Sequence, residues 1–106
     1  MADDIIVLIT ASNKEEAATI GLVLVNEHLA ACVNIIPEIR SLFTWDGKTQ
    51  DEQETLLIAK SRQPLLDQLV LRVRSLHSYT VPEVLALPIV GGSADYLTWL
   101  RETTKR

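Results

Sequence analysis

Apolar positions along this chain follow two rhythms, short β-branched runs and longer stretches at helical spacing. Ile5 to Ile9 is an unbroken β-branched and leucine run, which predicts a strand buried on both faces. Ser12 follows with Glu15 three residues on, the spacing at which a hydroxyl and a carboxylate satisfy free amides at a helix start. A helix is therefore predicted from about Asn13 to Leu29, with His28 late in it. Its centre, Ile20-Gly21-Leu22-Val23-Leu24-Val25, is apolar all round and needs cover on more than one side. One small domain supplies little such cover, a first reason to expect a partner subunit.

Cys32 to Trp45 reads as extended chain interrupted by Pro37. Ile39, Ser41, Phe43 and Trp45 share one face, and Arg40, Leu42 and Thr44 the other. Asp46-Gly47 is the turn signal, and Thr55 to Lys60 the returning strand. At roughly 3.3 Å per residue the first arm reaches about 46 Å, against a radius of gyration of about 13 Å for a domain of this size. The hairpin must bend at Pro37 or project beyond its own domain. A projecting ribbon carrying Phe43 and Trp45 leaves apolar surface and open strand edges in water unless another chain covers them. That is a second reason to expect an oligomer.

Pro64 suits the first turn of a helix, and Leu66, Leu69, Val73 and Leu76 then recur at helical spacing with Arg72 and Arg74 turned away. His77 to Gly92 carries the polar groups His77, Tyr79 and Glu83 around a rigid Val81-Pro82 turn, followed by a short strand from Val84 to Val90. Ser93 is an N-cap with Asp95 in the first turn of a terminal helix ending near Glu102. The order β-α-β-β-α-β plus a final helix predicts an α+β, ferredoxin-like single domain over residues 1–106, with a four-stranded antiparallel sheet and helices on one face. Such a fold names no function.

Composition narrows the classes. Ten basic residues against fourteen acidic ones, net −4, argue against a nucleic-acid binder, and no basic run suits phosphates or an anionic membrane surface. Cys32 is the only cysteine, so neither an intrachain disulfide nor a four-thiolate zinc site can form in one chain. The opening MADDIIVLIT is acidic where a secretory signal is basic, and no apolar run spans a bilayer, so a cytoplasmic protein is expected.

For nucleophilic chemistry Cys32 and His77 are the only pair, with no third group set to orient the histidine. The turn Thr10-Ala11-Ser12-Asn13-Lys14 lacks the glycine and arginine of a phosphate cradle, and no glycine-rich motif occurs elsewhere. No enzyme is expected. Among His28, Cys32, His77 and Glu83 no two have ligand spacing on one element; copper favours imidazole, which makes His77 the best single metal candidate. Trp45, Lys48, Lys60, Tyr79 and Glu83 sit at strand ends and turns, where they would hold an anionic ligand between subunits or, for Trp45 and Tyr79, serve as interface anchors.

Four segments in order resemble the CutA-like divalent-cation tolerance proteins: Leu29-Ala-Ala-Cys-Val-Asn-Ile-Ile-Pro37, Trp45-Asp-Gly-Lys48, His77-Ser-Tyr-Thr-Val-Pro-Glu83 and Tyr96-Leu-Thr-Trp-Leu100. The resemblance covers nearly the whole chain. It implies a ferredoxin-like subunit in a tight homotrimer, a shape like that of the PII signal proteins, and a connection with copper (Cu2+) or another divalent cation, without an enzymatic activity. Joined to the residues already singled out, it leaves His77 with Glu83 for a metal, or Trp45, Lys48, Lys60 and Tyr79 for a PII-like small anion; a scaffold with neither is the third expectation. Two departures lower the implied copper affinity: Ile9 or Thr10 stands where some relatives have cysteine, and Leu76 where they have a second histidine.

Overall fold

The computed structural model describes residues 3–105. The elements are β1 (Asp4–Ala11), α1 (Lys14–Asn26), β2 (Cys32–Trp45), β3 (Lys48–Arg62), a 3-10 turn (Gln63–Leu65), α2 (Leu66–Leu76), β4 (Val84–Pro88) and α3 (Ala94–Thr103). The four strands form one antiparallel sheet in the order β2-β3-β1-β4, the predicted α+β ferredoxin-like arrangement with its extra C-terminal helix.

The core lies on one side of the sheet. Val7, Ile9, Leu57 and Ala59 point there and are fully buried against Ile20 and Leu24 of α1 and Leu69 and Val73 of α2. The alternate residues face the other way. Register places Leu85, Leu8, Ile58 and Asn34 in one row of that second face, and Leu87, Ile6, Lys60 and Cys32 in the next. Ile6, Leu8 and Ile58 are only half-buried, and Leu85 and Leu87 remain 57% and 49% exposed. The expectation that β1 is buried on both faces is thus corrected: α1 and α2 cover one face, and α3 reaches the end of the other, through Arg101 on Asp4 and Arg62 on Thr104.

The helix start is shifted by one residue from its expected place. Asn13, not Ser12, is the N-cap, its Oδ1 accepting from the Glu16 amide at 2.8 Å. Glu16, rather than Glu15, reaches back to accept from the Ser12 amide at 3.0 Å. The helix also stops at Asn26, three residues short of Leu29, because His28 turns into the left-handed region at φ 59° and the Leu29 and Ala30 amides fold back onto the Leu24 carbonyl. His28 therefore lies beyond the helix, with its Nδ1 3.1 Å from the Thr103 carbonyl of α3.

The hairpin both bends and projects. A register irregularity falls between Ile36 and Ile39, around Pro37, where the ladder admits a residue without an amide donor. Beyond it residues 39–45 pair with 48–54 in a two-stranded ribbon turned by Asp46 and Gly47, both at positive φ. This ribbon stretches the molecule to 44 × 25 × 22 Å. The returning strand begins at Lys48, not Thr55; its polar first half, Thr49 to Glu54, is held by cross-strand pairing, including a bidentate Arg40–Asp51 bond at 2.9 and 2.7 Å.

Candidate functional site

The stretch after α2 turns at His77, whose backbone leaves the helix for extended geometry. Its imidazole packs inward, fully buried. Nε2 donates to the Thr10 carbonyl at 2.7 Å, and Nδ1 accepts from the Tyr79 amide at 3.0 Å. A carbonyl only accepts and an amide N–H only donates, so Nε2 carries the proton and Nδ1 the lone pair. Glu16 Oε1 stands 3.7 Å from Nδ1. Burial works against the Glu16 carboxylate, but hydrogen bonds from Ser12 and Ser78 outweigh it and hold its pKa below the ordinary value. The ring thus joins the end of β1 to the start of the loop leading to β4.

On the other side of that loop, residues 79–83 face the ribbon across a cleft of about 900 Å³. Its walls carry Thr10, Ser41, Phe43, Trp45, Gln50, Tyr79 and Glu83, together with Glu52 and Glu54. Glu54 is 8% exposed and accepts a 2.9 Å hydrogen bond from the Tyr79 hydroxyl. Burial, then this hydrogen bond and the negative charges of Glu54, Glu16 and Glu52, push the Tyr79 pKa up to about 12. Tyr79 is accordingly a fixed proton donor in a negative field.

The structure separates the residues singled out in the sequence. Trp45, Tyr79 and Glu83 line the cleft, whereas His77 is not among its lining residues. Lys48 starts β3 at the tip of the hairpin, and Lys60 lies on the open sheet face, where its Nζ bonds Asn34 Oδ1 and stands 3.9 Å from Cys32 Sγ. The two lysines and Tyr79 therefore do not converge as an anion site within one chain. For a metal the fit is also poor: both nitrogens of His77 are engaged by backbone, and among the described residues no group of three or more His, Cys, Asp or Glu is placed to hold an ion. Sequence reasoning missed Glu16 and Glu54. Glu16 carried a signal, its place three residues after Asn13, but Glu54 is one acid in a polar run and only strand register reveals its burial.

Residues 5–103 match a family profile described as CutA1 divalent ion tolerance protein. The chain belongs to this CutA1 family. It is 50% identical over 99 residues to the divalent-cation tolerance protein CutA of Thermus thermophilus, covering 93% of this chain and 96% of that one. It is also 50% identical over 101 residues to the chloroplastic CutA protein of Arabidopsis thaliana, which covers 95% of this chain but only 56% of that relative. The chain thus spans a little over half the length of its plant relatives. The crystal structure of CutA1 from Oryza sativa superposes with a TM-score of 0.95 at 47% identity, over 98% of this chain and 95% of that chain. The CutA1 match and the α+β sheet bear out the resemblance seen in the sequence, whose four segments all fall within the aligned region.

Proposed function

We propose that this chain works as a homotrimer, a non-catalytic cytoplasmic assembly of the CutA1 family whose part in divalent-cation tolerance does not run through a tight metal site of the single chain. The observation behind this reading is the uncovered sheet face, Ile6, Leu8, Ile58, Leu85 and Leu87, beside a ribbon that one subunit leaves unsupported. A contiguous apolar face of this kind is the usual mark of an interface between copies. Bound His77 would have to give up the Tyr79 amide before Nδ1 met an ion, and Glu16, not Glu83, is the carboxylate beside it. Direct metal binding is accordingly weak.

Native mass spectrometry is the first test: the expected mass is three times 11.8 kDa. Calorimetric titration with Cu2+ is the second, with the wild type and His77→Gln binding equally and weakly. A stable monomer would remove the assembly, and tight copper binding lost in His77→Gln would restore the imidazole site.

A further inference from the structure

The ring at the end of α2 is placed so that one proton changes what it holds. The His77 side chain is fully buried within the single chain, so its surroundings do not wait on a neighbouring copy. Nε2–H is engaged by the Thr10 carbonyl at 2.7 Å, and the Nδ1 lone pair receives the Tyr79 amide at 3.0 Å. An imidazolium carries a hydrogen on both nitrogens and accepts nothing. Once Nδ1 is protonated, two N–H groups confront each other and the Tyr79 amide has to give way. A better acceptor stands close by. Glu16 Oε1 lies 3.7 Å from Nδ1, in a carboxylate that already accepts from the Ser12 and Ser78 amides. The other groups around the ring are committed elsewhere. The Tyr79 ring, 4.6 Å away, has its hydroxyl on Glu54 of β3; Glu52 and Glu83 line the cleft, which His77 does not; Arg74, in the last turn of α2, is exposed.

We propose that His77 is a proton-operated latch on the loop before β4. Neutral, it holds that loop by the Tyr79 amide; protonated, it turns to Glu16 and lets the backbone of residues 79–83 go. The Tyr79–Glu54 bond is then the loop's remaining hold on the base of the arm. The exchange uses residues of one chain and draws on no metal, so it stands or falls apart from copy number and from copper binding.

Two measurements on the full chain in its native assembly, from about pH 8 down to about pH 5, test the latch. Nitrogen-15 shifts of the imidazole report the tautomer and protonation of His77. Hydrogen exchange, corrected for its intrinsic pH dependence, reports the Tyr79 amide. At the alkaline end the ring should carry its hydrogen on Nε2. Protection of the Tyr79 amide should fall about tenfold or more as the ring gains its second proton, the two curves sharing a midpoint. Protection of the core Leu57 amide should stay constant, which separates release of the loop from general unfolding. Glu16→Gln should move the midpoint to lower pH, because the imidazolium loses its counter-ion. His77→Gln should leave Tyr79 protection flat across the range; should that variant fold poorly, the paired wild-type curves decide alone. A ring that protonates while Tyr79 stays protected overturns the proposal. So does a neutral ring with its hydrogen on Nδ1, a ring that stays neutral throughout, or a parallel loss of protection at Leu57.

Discussion

Replacing Leu85 and Leu87 together by threonine tests whether the open sheet face is a contact between copies. Threonine is β-branched and suits the edge strand, and it puts a short hydroxyl-bearing side chain where an isobutyl group was. Full burial of a leucine is worth about 1.5–3 kcal/mol. With 57% and 49% of these side chains still exposed, covering the remainder contributes about 1 kcal/mol each. That is about 2 kcal/mol per protomer and about 6 kcal/mol for three copies, or roughly four powers of ten in the dissociation constant. Sedimentation equilibrium across a dilution series measures the change. Far-UV circular dichroism controls for the fold, which should persist because the core residues Ile9, Ile20, Leu57 and Leu69 lie on the opposite side. A double variant that stays trimeric at the same dilution as the wild type refutes the assignment of this face.

Two further predictions concern the single chain. Glu16 has a depressed folded-state pKa, so its contribution to stability is present above its ordinary value of 4.5 and is lost as pH falls through the lower folded value. Urea midpoints between neutral and acid pH should therefore fall less steeply in Glu16→Gln, and parallel curves would count against the Ser12–Glu16–Ser78 network. Ser61 is fully buried and donates from Oγ to the Leu29 carbonyl at 2.6 Å, tying β3 to the segment after α1. Ser61→Ala should cost about 1–2 kcal/mol by chemical denaturation, and a value near zero would mean that the carbonyl finds another donor.

What could be read from the sequence was whatever repeats at a fixed interval. The Ser93 cap and the spacing of Leu69 and Val73 were placed correctly, since each depends on neighbours within a turn or two. The first half of β3 was missed because Thr49 to Glu54 has no apolar alternation; its strand geometry comes from a partner strand, not from its own composition. The length of α1 was overrun because Leu29 continues the apolar pattern of Val23 and Val25 past the point where His28 breaks the backbone. The cleft was only partly legible. Trp45, Tyr79 and Glu83 stood out as residue types, but Glu54 enters through a register that no local signal announces, and Lys48 and Lys60 are carried elsewhere by the same strand.

Beyond Pro37 the hairpin has no third strand beside it: β1 pairs only with residues 55–62 of β3, and the outer half is a two-stranded arm that the Tyr79–Glu54 hydrogen bond ties down at its base. Such an arm is marginal in water on its own. In the proposed trimer a freshly made copy would be unfinished until it met its siblings, and its maturation a matter of encounter frequency. Dilution, not only heat or denaturant, would then set how much of the population is complete.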